Sequence, residues 1–363
     1  LNRGAEPYPL GDDSYSVFSG TYGGRTKAIY ASANDGMLHA FNADTGDELF
    51  AYLPNNLMLN DYSRRITDLL DFEYTHKFFV DVTPALNDVF VDLDGDLTKE
   101  WASVLVGGHG AGAKAYFALN ITNPEHFIEG EADKVVLWEF TEEDDTYPTD
   151  ADGAPLLVAG DQKQDLLGEP IKDLGYTFSV PTIAMSNLVD GDGNHEWIAV
   201  FGNGFNSTSG IAKLYALFLN GGIDGVWCHP DMIHNEVPYV TTMPAICDGV
   251  QEFIKLDANE GPRDGYPNGL GTPRGIDVDG NGTIDYAYAG DHFGNFYRFD
   301  LTSSDFALWK TERIFEATYN GKDGLGTPVL QPITTQPIVI EHPTEADGFI
   351  VIFATGSYVT IPD

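Results

Sequence analysis

The clearest chemistry in this chain sits in nine consecutive residues, Asp277-Val278-Asp279-Gly280-Asn281-Gly282-Thr283-Ile284-Asp285. Side-chain oxygens stand at positions 1, 3, 5 and 9 of this run. Alternate residues of a tight turn point to one side, so Asp277, Asp279, Asn281 and Asp285 are expected to converge. Gly280 and Gly282 let the backbone curl around an ion, including at positive φ. The carbonyl of Thr283, at position 7, adds a further oxygen. About five or six hard oxygens suit Ca2+, which takes 6–8 ligands at 2.3–2.6 Å. Zinc and copper prefer nitrogen or sulfur. Without an ion the converging carboxylates would repel one another. The run is not a true EF-hand: that loop has twelve residues and closes on a bidentate Glu, whereas Tyr288 stands at position 12 and strand-like sequence follows.

Two other segments share the pattern in weaker form. Asp92-Leu93-Asp94-Gly95-Asp96-Leu97-Thr98-Lys99-Glu100 keeps the spacing, with Asp92, Asp94, Asp96, Thr98 and Glu100 as the second candidate ligand set. Leu97 replaces the second glycine and makes the curl harder. Asp190-Gly191-Asp192-Gly193-Asn194 is too short to close in the same way and reads as a hairpin turn. No GxSxG elbow or HExxH pair is present, so His109, His195, His229 and His234 lack the context of a hydrolase or zinc site.

These loops occupy one position in a repeated unit. Each unit has an X-Pro start with a short apolar run, an Asp/Gly loop, a strand ending in Gly, and a strand patterned aromatic-x-aromatic. Unit one runs from Thr83-Pro84 through Trp101–Gly107 to Lys114–Asn120. Unit two runs from Val180-Pro181 through Trp197–Gly202 to Lys213–Leu219. Unit three runs from Thr272-Pro273 through Tyr286–Gly290 to Asn295–Leu301. A fourth begins at Gln336-Pro337, and Ile29–Ala33 with Met37–Asn42 resemble the end of an earlier one. Recurring antiparallel strands with glycine-marked corners are the mark of propeller blades. The expectation is one all-β domain over residues 1–363, with insertions at about 142–173 and 220–268 and one helix over Asn60–Leu70 on its outside.

Composition narrows the function. A net charge of −37 argues against nucleic-acid or anionic-lipid partners. It suits salty or calcium-rich surroundings, or is simply a solvated acidic surface. No apolar run is long enough to span a membrane. Cys228 and Cys247 either close a disulfide in an exported chain or stand as two buried thiols. A targeting segment is expected upstream of Leu1.

The strings Asn34–Pro54, Leu105–Asn120, Phe201–Asn206 and Tyr288–Asp300 resemble, in order, the C-terminal domain of the PilC/PilY1 family of type IV pili. The resemblance implies a modified β-propeller, here of about seven blades, with calcium in an EF-hand-like loop at Asp277, Asp279, Asn281, Thr283 and Asp285. It implies a non-enzymatic, extracellular place at the pilus tip or outer-membrane surface, on top of minor pilins. It further implies adhesion to a host or abiotic surface, and support of pilus biogenesis by opposing retraction under calcium control. The family's variable adhesive region lies N-terminal to this span. The chain has no Arg-Gly-Asp, and the Cys228–Cys247 stretch and the acidity depart from the pattern. Asp35–Gly46 also resembles a repeat of PQQ-dependent quinoprotein dehydrogenases, although the five tryptophans do not follow that rhythm. A carbohydrate-binding propeller is the third reading.

Overall fold

The computed structural model describes residues 13–58, 65–95, 98–145, 171–228, 251–258, 260–263, 265–322, 328–344 and 348–356. Its strands form six antiparallel sheets among these residues. The first has three strands, β1 (Ala28–Ser32), β2 (Leu38–Asn42) and β3 (Glu48–Tyr52). Three four-stranded meanders follow. They are β4 (Ala85–Val91), β5 (Glu100–Gly108), β6 (Ala115–Asn120) and β7 (Val136–Thr141), then β8 (Thr182–Val189), β9 (His195–Gly202), β10 (Lys213–Phe218) and β11 (Phe253–Asp257), then β12 (Arg274–Ile276), β13 (Tyr286–Gly290), β14 (Asn295–Asp300) and β15 (Lys310–Glu316). Two hairpins, β16 (Thr318–Lys322) with β17 (Pro328–Leu330) and β18 (Ile338–Glu341) with β19 (Phe349–Ile352), complete the set.

The inner strands show why this is a propeller and not a string of sandwiches. Period-two alternation puts successive side chains on opposite faces of a sheet. In β9, Trp197, Ala199 and Phe201 join a core shared with the preceding sheet. Ile198 and Val200 join a core shared with the following one. The same division holds in β10, where Tyr215 and Leu217 face back and Leu214 and Ala216 face forward. Both parities are therefore apolar and both faces are buried. Large rings fill the seams: Tyr116 of β6 lies 4.0 Å from Phe201 by ring centroids, and Phe201 stacks on Tyr215 at 5.5 Å. Each such ring contributes about 1.5–3 kcal/mol by burial.

The second and third strands of each unit fall where the repeat places them. The outer strands β7, β11 and β15 are additions to it, and β11 lies inside the 220–268 stretch expected to be an insertion. Of the 142–173 stretch, residues 146–170 lie outside the described residues. The helix expected over Asn60–Leu70 is corrected: residues 59–64 are not described, and Ile66–Leu70 forms only a short 3-10 turn. Asp68 accepts the Arg65 amide and the Lys77 ammonium, which ties the turn off, and Asp71 is already extended. Among the described residues the α-helix is instead α1, Ser14–Tyr22. Its residues are weak helix formers, so packing must hold it. Tyr15 and Phe18 lie against Trp101, and the Trp101 indole donates to the Ser14 hydroxyl at 2.9 Å. Cys228 is disulfide-bonded; Cys247, the only other cysteine of the sequence, lies outside the described residues.

Candidate metal centre

The corner between the first two strands of each four-stranded blade carries the Asp/Gly loop. In the blade β12–β15 this loop folds tightly on its own side chains. Gly280 and Gly282 adopt φ of +77° and +91°. Asp277 accepts the amides of Gly280 at 2.7 Å and Gly282 at 2.8 Å, one on each carboxylate oxygen. Asp279 accepts the Asn281 amide, and Asn281 accepts the Thr283 amide. Asp285, the buried member, accepts the amide of Val278 at 2.8 Å. One carboxylate oxygen each from Asp277, Asp279 and Asp285 then lies within 4.8 Å of the others.

That separation suits calcium. Two oxygens on opposite sides of one ion stand about twice the Ca–O distance apart, roughly 4.6–5.2 Å. The donors are hard oxygens, and each carboxylate oxygen keeps a second lone pair beyond the amide it accepts. Among the described residues, no lysine or arginine pairs with these three carboxylates. Sequence spacing thus places Asp277, Asp279 and Asp285 together. Asn281 lies in the same loop, with its oxygen turned to the Thr283 amide and its Nδ2 3.2 Å from Asp279. Thr283 is buried and its hydroxyl faces protein acceptors.

The residue that spacing missed is Asn187. It stands in β8 of the preceding blade, where the β8–β9 register shifts between Met185 and Val189. A bulge of this kind re-aims a side chain. Here it sends the Asn187 amide across the seam to Thr283, Ile284, Asp285 and Leu301. The backbone follows, with the Ile284 amide donating to the Met185 carbonyl at 2.8 Å.

The other two corners differ. In the second candidate set, Asp92 accepts the amides of Asp94 and Gly95, Thr98 and Glu100 lie at the entry to β5, and Asp96 lies outside the described residues. Among the described residues these side chains do not gather into a three-carboxylate group. The Asp190 turn is occupied by a lysine. Lys99 reaches from the preceding blade to Asp190 at 2.7 Å and to Glu196 at 3.4 Å. Partial burial works against the Asp190 charge, but Lys99 and Asn194 outweigh it and hold its carboxyl down at about 2. Burial pushes Glu196 the other way, above the usual range.

Among the described residues the histidines do not assemble a site. Burial lowers the His109 ring to about 4, with Nδ1 at 2.9 Å from the Phe79 carbonyl. His195 meets the Ser186 carbonyl, and His229 and His234 are outside the described residues. All five tryptophans, 101, 138, 197, 227 and 309, are buried. A tryptophan platform for stacking a sugar or quinone is thus missing from the surface.

The family model described as the PilY1 beta-propeller domain matches residues 5–223 and 252–363. A type IV pilus biogenesis factor PilY1 homolog of Xylella fastidiosa is 33% identical over 364 residues, covering 97% of this chain and 19% of that protein. The type IV pilus biogenesis factor PilY1 of Pseudomonas aeruginosa strain UCBPP-PA14 is 30% identical over 371 residues, covering 96% and 25%. The crystal structure of the P. aeruginosa PilY1 C-terminal domain superposes with a TM-score of 0.61 at 28% identity, covering 98% of this chain and 58% of that one. The chain thus spans a quarter or less of the length of these two curated relatives. With sheet order, interblade cores and this match over nearly its whole length, the chain belongs to the PilY1 β-propeller family.

Proposed function

We propose that this propeller is the calcium-responsive part of a type IV pilus biogenesis factor. In this reading it is a non-catalytic domain that works outside the cell, at the pilus tip. It docks on minor pilins, touches host or abiotic surfaces, and opposes retraction. Support for the pilus role comes from relatives named as type IV pilus biogenesis factors, each matched over nearly all of this chain. The observation that carries the calcium part is the convergence of Asp277, Asp279 and Asp285 within 4.8 Å. When bound, the ion would supply the positive charge that holds the three carboxylates together. It would thereby order the loop and the strands β12 and β13 that it joins. An ion that binds only the folded loop stabilises the fold by RT ln(1 + [Ca2+]/Kd).

The test has two parts. Calcium titration of the purified domain should show binding in the roughly micromolar to millimolar range of sensor and extracellular sites, and Asp279→Ala should remove it. The same substitution in the full-length protein of the parent strain should make surface piliation insensitive to calcium. Unchanged calcium-dependent piliation in that strain would sink the regulatory role even if the domain binds the ion.

A further inference from the structure

Asn187 reaches from the preceding blade to the candidate metal loop and its blade through four hydrogen bonds. Its Nδ2 stands 3.2 Å from the Ile284 carbonyl, 3.2 Å from Asp285 Oδ1 and 3.1 Å from the Leu301 carbonyl. Its Oδ1 accepts from the Thr283 hydroxyl at 2.9 Å. Three acceptors around one end of the amide fix which end is nitrogen. Asp285 is thereby held between the Val278 amide on one oxygen and Asn187 on the other. Thr283 has a single hydroxyl proton and two acceptors for it, Asn281 Oδ1 at 2.5 Å and Asn187 Oδ1 at 2.9 Å. A cation that draws on Asn281 Oδ1 competes for that lone pair and turns the Thr283 proton toward Asn187.

We propose that Asn187, outside the loop and on the neighbouring blade, is a positioning residue for the cation site, so that occupancy of the loop is felt at the seam between the two blades. The proposal rests on reading Asp277–Asp285 as a calcium site. It assigns to the ion a second effect, the tightening of β8 against β13 and β14, through a side chain that does not touch the ion.

A matched pair of variants tests it. Asn87 crosses the previous seam in similar fashion, donating to the Ile183 carbonyl at 3.0 Å with no carboxylate loop at the far end. Calcium titration calorimetry of Asn187→Ala should show affinity weaker by on the order of tenfold or more, the usual loss for a residue that orients a metal ligand. Asn87→Ala should leave the Kd within about twofold, because the bond it removes ends on the Ile183 backbone and not on a loop carboxylate. Hydrogen exchange adds a readout that simple destabilisation would not mimic. In the parent protein calcium should slow exchange at the Ile284 and Leu301 amides, which donate to Met185 and Asp285; in Asn187→Ala that slowing should shrink even when calcium is raised until the loop is saturated. If Asn187→Ala does not fold by circular dichroism, Asn187→Ser is measured against the same criterion. Parent-like calcium affinity in the folded Asn187 variant overturns the proposal. Absence of calcium binding in the parent protein removes the site itself, and the role of Asn187 with it.

Discussion

Two neighbouring corners of this propeller begin from the same sequence idea and end in opposite chemistry. At Asp190–Asn194 the turn carboxylate is neutralised from within, by Lys99 of the preceding blade at 2.7 Å. At Asp277–Asp285 the preceding blade contributes Asn187, a neutral amide that orients a carboxylate without cancelling its charge. Residues at the loop positions do not make the difference alone. Loop length and the cross-seam partner differ together: a lysine meets the shorter turn, and an amide meets the longer one.

The comparison can be broken in order of effect. Asp285→Ala should act most strongly. It removes one converging carboxylate, leaves the Val278 amide without its acceptor, and takes one of three acceptors from the Asn187 amide. Loss of calcium binding should be accompanied by about 1–3 kcal/mol of destabilisation even without calcium, read by denaturant unfolding with and without a chelator. Next comes Lys99→Met. It strands the half-buried Asp190 and Glu196 without their cation and should cost about 2 kcal/mol, less than a fully buried broken pair. Millimolar calcium should restore part of that loss in Lys99→Met, and none in a Lys99→Met/Asp190→Asn double variant. Gly280→Ala and Gly193→Ala both place a side chain at positive φ, +77° and +84°, with open space around the added Cβ. Each should cost about 1–2 kcal/mol from backbone strain alone, but only Gly280→Ala should also weaken calcium binding. The smallest effect is in acid. Because the folded-state value of Asp190 lies near 2 and its ordinary value is 3.8, its stabilisation is present above about pH 4 and fades as pH falls toward 2. Acid unfolding of Asp190→Asn should lose that part of the pH dependence.

These corners also show what could be read from sequence. Asp277, Asp279 and Asp285 were legible because their convergence is local: alternate positions in one turn, with glycines where the chain turns to positive φ. The inner strands were legible because both of their faces are buried against neighbouring sheets. Asn187 and Lys99 were not, because each acts on a loop in the next blade, more than 90 residues on. A faint signal existed. From Pro181 to Asp190 unit two carries one residue more than unit one carries from Pro84 to Asp92, which is the length change a bulge needs. The outer strands β7, β11 and β15 escaped because they face solvent more than the inner strands do. The helix α1 escaped because its residues are poor helix formers, although Tyr15, Phe18 and Tyr22 already share one face at spacings of three and four.

Calcium titration calorimetry of the domain beside its Asp279→Ala variant tests the central claim most directly, since Asp279 is exposed and bonds only within its own loop. The expected result is one calcium bound per chain, lost in Asp279→Ala, with both proteins equally folded in chelator. Equal calcium binding by the two proteins, or none by either, would contradict it.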